Sequence, residues 1–176
     1  MVTVLINLFM AYLLLKERKH MSFKYQLEAS AQQQYEGGTS RTVTRQNISS
    51  LKDMAIYSLR IDPGCLRELH WHPNADEWQY YISGRARMGV FGSHGRARNE
   101  EFAAGDVGYV PQGYGHYIEN TGNEDLELLV VLNDGDYQSI SISAWIGANP
   151  HLLLATNFRV PESTFDKFPR KERFMP

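Results

Sequence analysis

Residues 64–84 read GCLRELHWHPNADEWQYYISG and carry the strongest structural signal in the chain. A second block, residues 105–120, reads GDVGYVPQGYGHYIEN. The first block contains His70, His72 and Glu77, and the second contains His116. Three of the six histidines therefore fall in two short segments that also carry Gly and Pro at set positions. The clustering of these histidines indicates a functional site rather than scattered polar surface residues.

The spacing in the first block suits a metal site between strands. Alternate side chains of a strand share a face, so His70 and His72 point the same way. Residues 73–76 read PNAD and predict a turn, after which Glu77 begins the next strand and can point back into the same cavity. His116 enters from a distant strand. The predicted metal ligands are therefore His70, His72, Glu77 and His116.

The kinds of ligand narrow the choice of metal. Three imidazoles and one carboxylate leave two positions of an octahedron open for a small ligand. This mixed set suits Mn(II), with Fe(II) as the alternative, better than a structural zinc site, which usually has four ligands including Cys. The other histidines (His20, His94 and His151) are assigned no role.

Short alternating runs separated by turn residues extend over the middle of the chain and predict an all-β fold. Strands at this spacing indicate an antiparallel sandwich or barrel. The predicted strands are Met54–Ile61, Glu68–His72, Glu77–Ile82, Arg85–Phe91, Val107–Val110, His116–Ile118 and Leu126–Leu132. Farther on, Asn149 and Pro150 predict the opening of a short helix. The sequence contains no internal repeat, so one barrel is expected.

The patterns divide the chain into four parts: an apolar N-terminal extension at 1–20, a polar arm at 21–50, the barrel at 51–146, and a short helix with a tail at 147–176. The apolar run of the extension is shorter than the roughly 20 residues that span a bilayer. It also lacks the basic start and the cleavage site of a secretory signal. Membrane association is therefore not expected, and a cytoplasmic location is predicted. The alternative is export or membrane attachment through the apolar extension.

Composition argues against some classes of function. The net charge is −2 and the basic residues are scattered, so no footprint for nucleic acid is expected. The single cysteine, Cys65, cannot form an internal disulfide. The length of 176 residues suffices for one domain with its own core.

The two blocks resemble the paired motifs of the cupin superfamily, and both fit without a gap. Flanking residues narrow the likeness to the oxalate decarboxylase family, especially its second cupin domain. These residues are 67–81, 105–111 and 115–118, and the similarity extends over residues 35–174. The resemblance implies a jelly-roll β-barrel, manganese held by the four residues named above, and conversion of oxalate to formate and carbon dioxide.

The resemblance also implies a substrate-holding arginine, which corresponds to Arg67. A guanidinium beside a divalent metal is a suitable receptor for oxalate, which is a small dianion. Strict alternation puts Arg67 on the opposite face from His70. Either a bulge or the twist of the barrel must therefore bring it round.

The sequence departs from this family where a proton donor is expected. Decarboxylating domains carry a Ser-Glu-Asn-Ser-Thr lid after the last barrel strand, whereas residues 137–141 read YQSIS. The second domain of the family has a Glu on the last strand, where this chain has Val130. The remaining candidate donors are Asp134, Asp136 and Tyr81. Two alternatives stay open: an oxalate oxidase that yields carbon dioxide and hydrogen peroxide, and a non-catalytic cupin that binds a small carboxylate.

Self-association is expected for a lone barrel of this kind. The enzymes of the family have two fused cupin domains, whereas this chain has one. A single barrel exposes the edges of its sheets, and exposed edges invite pairing. The arm at 21–50 and the phenylalanines of the tail are candidates to cover a neighbouring copy. A homodimer or larger closed homo-oligomer is therefore predicted.

Overall fold

The computed structural model describes residues 23–48 and 50–176. Within these residues the chain forms antiparallel strands followed by two helices. The strands are β1 (Gln33–Tyr35), β2 (Gly38–Val43), β3 (Ala55–Ile61), β4 (Leu66–Trp71), β5 (Glu77–Ser83), β6 (Arg85–Phe91), β7 (Ala97–Ala103), β8 (Val107–Val110), β9 (Gly115–Asn120), β10 (Leu126–Leu132) and β11 (Ile140–Ser141). The helices are α1 (Ile142–Gly147) and α2 (His151–Phe158). Short 3-10 helices lie at Leu27–Ala29, Ser93–Gly95 and Glu162–Phe165.

The strands form two sheets that share one core. The first sheet has the strand order β1-β2-β3-β10-β5-β8, and the second has the order β11-β4-β9-β6-β7. Side chains from both sheets meet in one buried cluster, with Leu59 and Leu128 from the first sheet and Met88 and Ile118 from the second. The all-β fold predicted from the sequence is therefore confirmed.

Alternation along the strands decides which side chains reach the interior. The interior residues are Leu126, Leu128, Val130 and Leu132 of β10 and Glu77, Gln79 and Tyr81 of β5. Glu127 points outward, as its parity in β10 predicts. Fully burying one such leucine stabilises the fold by about 1.5–3 kcal/mol. The interior face of β5 is polar instead, because these residues build the site described below.

Two glycines make the turns that bring the strands of the site together. Gly84, between β5 and β6, has a φ of +86°, and Gly105, before β8, has a φ of +93°. Residues with a side chain rarely adopt this left-handed region. At Gly84 a Cβ would also lie 2.9 Å from the carbonyl oxygen of Asp125. Both positions therefore favour glycine.

The barrel extends farther than the segment 51–146. β1 and β2 come from the segment that the sequence analysis described as a polar arm, and β2 pairs with β3 in the first sheet. β7, which the sequence analysis did not predict, pairs with β6 at the edge of the second sheet. The predicted helix is present as α2 but begins one residue late, with Pro150 rather than Asn149 as its N-cap.

The apolar extension at 1–20 lies outside the described residues. None of the helices that the structure describes is long and apolar enough to cross a bilayer. Cys65 is a free thiol, in agreement with the cysteine count.

The C-terminal tail returns to its own barrel. Met175 is fully buried in the main core, and Phe165 is buried in a smaller cluster with Leu154 of α2. Phe174 packs against the main core, whereas Phe168 is 39% exposed. Two of the three phenylalanines that were candidates to cover a neighbouring copy therefore pack within their own chain.

Candidate metal centre

The four predicted ligands converge inside the barrel. His70 lies near the end of β4, His72 directly follows that strand, Glu77 opens β5, and His116 lies in β9. Each offers a ligand atom, and these atoms all lie within 4.8 Å of one another. All four side chains are buried. Residues distant in sequence meet because β4 pairs with β9, with His70 opposite His116.

The ligand atoms of the four side chains lie around one small central space. The Nε2 atom of His72 lies 2.9 Å from Oε2 of Glu77, and Nε2 of His116 lies 3.3 Å from the same oxygen. The rings of His70 and His116 are tilted toward each other, with centroids 4.1 Å apart. The space between these side chains is therefore sized for a single ion.

Backbone carbonyls fix the tautomer of each imidazole. The Nδ1 atom of His70 donates to the carbonyl of Glu68 at 2.7 Å. The Nδ1 atoms of His72 and His116 donate to the carbonyls of Gln138 and Tyr114, at 2.8 Å and 3.1 Å. A carbonyl can only accept, so each Nδ1 carries a proton, and in the neutral ring each Nε2 presents a lone pair.

The three Nε2 atoms are buried and make no hydrogen bond. Buried polar atoms are rarely left without a partner, and here three lone pairs face a carboxylate. That arrangement is unfavourable unless a cation lies between them. Backbone carbonyls that orient histidines in this way are typical of metal sites. The side chains therefore fit a divalent metal ion, and the chain has a metal-binding His/Glu site.

Protonation also suits metal binding. Burial raises the pKa of the Glu77 carboxyl, but the positive charge of His116 and His72 in their protonated forms holds it well below its ordinary value. Burial lowers the pKa of His70 well below its ordinary value, and the positive charge of Arg67 acts in the same direction. At neutral pH the carboxylate is therefore ionised and the imidazole of His70 is neutral, which are the forms that bind metals.

A hydrogen-bonded chain supports Glu77 from behind. Gln79 Nε2 donates to Oε1 of Glu77 at 2.7 Å, and the Tyr81 hydroxyl donates to Oε1 of Gln79 at 2.6 Å. The Tyr57 hydroxyl donates to Oε2 of Glu77 at 3.2 Å. Burial raises the pKa of both tyrosines, so both remain protonated donors. The sequence analysis missed the role of Tyr57 and Gln79, although the parity of Gln79 with Glu77 was a usable signal.

Arg67 reaches the interior through a bulge. The pairing of β4 with β9 shifts register between Arg67 and His70, so that Arg67 and Glu68 are both buried although they are adjacent. The Nη1 atom of Arg67 donates to the carbonyl of Phe174 at 3.3 Å, and Nη2 donates to Oγ of Ser139 at 3.2 Å. Its Nε atom is buried without a partner. The bulge is one of the two routes by which the sequence predicts that Arg67 turns inward.

The loop after β10 borders the site. Its residue Gln138 provides the carbonyl that holds His72, and the ring of Tyr137 contacts the ring of His72 edge-on at 5.5 Å between centroids. Asp134 accepts from Nδ2 of Asn74 at 2.9 Å, and Asp136 forms an ion pair with Arg45 at 2.5 Å.

These contacts engage each of the three residues that were candidate proton donors. Asp134 accepts from Asn74 in the turn between β4 and β5, and Asp136 pairs with Arg45 in the segment after β2. Tyr81 is held by Gln79 on the interior of β5. None of the three therefore offers a free acid to a ligand on the metal.

A two-sheet β-barrel that gathers three imidazoles and one carboxylate in its interior defines a class of metal-binding barrel proteins. The family model described as Cupin matches residues 25–165. The chain belongs to the cupin family.

Individual relatives agree with this assignment. The oxalate decarboxylase of Bacillus subtilis is 44% identical over 142 residues, which cover 77% of this chain and 37% of that protein. A solved structure from work on the Mn(II) centres of the same enzyme superposes with a TM-score of 0.84 at 38% identity, covering 89% of this chain and 42% of that chain. An oxalate-binding protein of Thermotoga maritima is 39% identical over 74 residues, covering 42% of this chain and 57% of that protein. The chain thus spans less than half the length of the decarboxylase.

Proposed function

We propose that this chain is a manganese-dependent, oxalate decarboxylase-like cupin that converts oxalate to formate and carbon dioxide. The observation that carries the proposal is the buried cluster of His70, His72, Glu77 and His116, with the guanidinium of Arg67 close enough to lower the pKa of His70. The likeness to the Bacillus subtilis oxalate decarboxylase supports the choice of substrate. The Mn(II) centres of that enzyme support the choice of metal.

The four residues of the cluster would hold the metal through three Nε2 atoms and the Glu77 carboxylate. A mixed set of imidazoles and one carboxylate suits Mn(II), with Fe(II) as the alternative. When bound, the ion supplies positive charge and one-electron chemistry to a carboxylate ligand. The carbonyl partners of the three Nδ1 atoms keep the rings oriented, and Gln79 and Tyr57 keep the carboxylate in place.

Arg67 would bind the carboxylate of oxalate that faces away from the metal. Its Nε atom is buried without a partner, and its two Nη atoms each have one observed acceptor. A planar guanidinium with hydrogens left over suits a carboxylate, which can accept two hydrogen bonds side by side. A charge-assisted bond of this kind contributes about 1.5–3 kcal/mol.

The decarboxylation is redox-neutral and needs one proton at carbon. The bond between the two carbons breaks, one carbon leaves as carbon dioxide, and the other takes a proton to become formate. A positioned acid normally delivers that proton. Asp134, Asp136 and Tyr81 are each engaged elsewhere, so delivery is expected to be slow.

The same observation favours a second candidate function, oxalate oxidase. Where no acid protonates the carbon, dioxygen can accept the two electrons of oxalate together with two protons from solvent, and the products are two carbon dioxide molecules and hydrogen peroxide. We therefore expect weak decarboxylation accompanied by a measurable oxidase fraction. A third candidate, a cupin that binds oxalate without turnover, is favoured by the likeness to the oxalate-binding protein of Thermotoga maritima.

One experiment separates the three candidates. Manganese-loaded chain is incubated with oxalate in air, and formate, hydrogen peroxide and remaining oxalate are measured together. Formate with a smaller amount of peroxide supports the proposal, whereas peroxide alone selects the oxidase. Oxalate that binds in calorimetry but is not consumed selects the binding protein. Neither binding nor turnover of oxalate would overturn the proposed function.

We also propose that the chain acts as a homo-oligomer, with a homodimer as the simplest form. The outer faces of β5 and β8 carry large exposed apolar side chains. A contiguous apolar face on one side of a sheet is typical of an interaction surface.

A further inference from the structure

Glu68 connects the C-terminal tail to the strand that carries Arg67. The bulge in β4 buries Glu68 next to Arg67. One carboxylate oxygen, Oε1, accepts from the backbone N–H groups of Arg173 and Phe174, at 3.0 Å and 2.9 Å. The other, Oε2, accepts from the hydroxyl of Ser143 in α1 at 2.5 Å. A buried carboxylate with three donors is well satisfied, so Glu68 is a firm anchor for the tail.

Phe174 in turn contacts Arg67 in two ways. The guanidinium carbon of Arg67 lies 3.7 Å from the centroid of the Phe174 ring, which is the geometry of a cation–π contact. The Phe174 carbonyl accepts from Nη1 of Arg67 at 3.3 Å. On its other side the ring of Phe174 stacks on Tyr35, with centroids 4.3 Å apart. The guanidinium therefore rests on a ring that is itself held in place.

The backbone at Phe174 adopts a conformation that needs outside support. Its φ is +58°, in the left-handed region that an aromatic residue rarely enters. Glu68 binds the N–H of this residue, and the Phe174 carbonyl accepts from the N–H of Glu68 at 2.9 Å. Unfavourable backbone conformations persist where the surroundings enforce them, and such positions cluster at ligand sites.

We propose that residues 173–175, held by Glu68, position the Arg67 guanidinium, and that Phe174 is a positioning residue that sets the affinity of the site for a dicarboxylate. The inference rests on the proposed function for the identity of that dicarboxylate, oxalate. Phe174 and Ser139 each occupy one Nη atom, which leaves the buried Nε of Arg67 as the donor without a partner that a carboxylate would complete. The tail would thus act on oxalate through Arg67 without touching it.

The first arm of the test measures Arg67 without oxalate. Full-length, manganese-loaded parent protein and Phe174→Gly are treated with phenylglyoxal, and modification of Arg67 is followed by peptide mass spectrometry. Glycine accepts the left-handed backbone, so this variant removes the ring while favouring the tail conformation. We expect Arg67 to react at least ten-fold faster in Phe174→Gly than in the parent. Phe168→Gly, the same change at an exposed phenylalanine of the same tail, is expected to leave the rate unchanged.

The second arm measures oxalate. Calorimetric titration of the manganese-loaded proteins is expected to show about ten-fold weaker oxalate binding in Phe174→Gly, which is a change of about 1.4 kcal/mol. KM is expected to rise more than kcat falls, because the variant loses orientation of a binding group. In an Arg67→Ala background, Phe174→Gly should cause no further loss, since both changes act through the same guanidinium.

The two arms distinguish failure of the positioning role from failure of the proposed function. Unchanged Arg67 reactivity in folded Phe174→Gly would overturn the positioning role, and so would additive losses in the double variant. If the parent protein does not bind oxalate, the proposed function fails while the phenylglyoxal rates still decide the positioning role. If Phe174→Gly does not fold, Phe174→Leu replaces it. That variant keeps an apolar side chain but no ring face, and Arg67 must still react faster than in the parent.

Discussion

Glu77 gathers most of the interactions of the candidate site. Its carboxylate faces the three imidazoles and accepts from Tyr57 and Gln79, and Gln79 accepts from Tyr81. Such outer partners orient a ligand, and their loss typically costs 10–100-fold in metal affinity. The hydrogen bonds that link Tyr81 through Gln79 to Glu77 therefore lead to a prediction about Tyr81, which would not itself contact the metal.

Tyr81→Phe should weaken both the fold and the metal site. The change leaves Oε1 of Gln79 buried without this donor, at a cost of about 1–3 kcal/mol. We expect thermal unfolding to occur a few degrees lower and manganese affinity to fall by about ten-fold. Tyr80→Phe is the matched control, because Tyr80 lies on the outer face of the same strand. Equal unfolding temperatures and equal manganese affinities in the two variants would contradict the proposed role of the hydrogen bonds from Tyr81 to Glu77.

Arg67 leads to a second prediction at this scale. Lysine keeps the positive charge but lacks the planar fork that matches a carboxylate. Arg67→Lys should raise KM for oxalate by about 10–100-fold, as expected for the loss of about 1.5–3 kcal/mol from charged hydrogen bonds. Manganese content should stay at the parental level, as it should in the surface control Arg60→Lys. An unchanged KM would remove Arg67 from substrate binding.

Among the structural elements, the loop after β10 distinguishes this chain most clearly from the decarboxylating domains that it resembles. It provides the carbonyl for His72 and the hydroxyl for Arg67, and it places the ring of Tyr137 against His72. Its two acids, Asp134 and Asp136, are engaged with Asn74 and Arg45. The loop therefore borders the site without offering it a free acid.

A glutamate introduced into this loop should raise the yield of formate. Position 137 is suitable because its side chain already faces the ring of His72. In Tyr137→Glu we expect more formate and less hydrogen peroxide per oxalate consumed, because the new carboxyl can protonate carbon. Tyr137→Gln has the same size as that glutamate without the acid and should keep the parental ratio. Fast, peroxide-free formate production by the parent protein would contradict this account and would require a donor in another place.

The strands that the sequence predicted have a buried face, and β2, which also has one, was missed because it reads GTSRTV and is mostly polar. β3, β5, β6, β8 and β10 were predicted within a residue or so, because each is a short, mostly apolar run bounded by turn residues. β7 was not predicted because it lies at a sheet edge and reads ARNEEFA, with almost every side chain exposed. The sequence called for a bulge or a twist at Arg67 but could not decide between them, because register shifts depend on the partner strand.

At the scale of the whole molecule, the outer face of β5 and β8 is apolar. It is formed by Trp78, Tyr80 and Ile82 of β5 and by Val107 and Tyr109 of β8, which are 44–55% exposed. β8 is also the edge of its sheet. Exposed edges and large apolar patches both favour association.

The chain should therefore form a closed homo-oligomer, a dimer at least, at micromolar concentration. Light scattering should report a mass at least twice that of the 20.2 kDa chain. Trp78→Lys should lower that mass, because a charge would have to be buried in the contact. Leu152→Lys, at an exposed apolar position of α2, serves as the control and should keep the parental mass. A monomeric parent protein would contradict the prediction.

Long-range contacts were the part of the molecule least accessible to sequence reasoning. The four residues of the cluster could be predicted, because strand parity and two recognisable blocks brought them to one interior. The contact of Glu68 with Phe174 joins residues more than a hundred positions apart and has no local signal. Likewise, the sequence indicated that Arg67 had to turn inward, but not that the tail holds it.

Metal content per chain tests the central claim most directly. Elemental analysis of purified, manganese-reconstituted protein should find close to one ion per chain in the parent. His70→Ala, His72→Ala, Glu77→Ala and His116→Ala should each lose most of it, because each removes a ligand atom from the cluster. His94→Ala, at an exposed histidine in the connection between β6 and β7, should keep the parental content. Full manganese content in any of the four variants would contradict the assignment of that residue, and a metal-free parent would contradict the site.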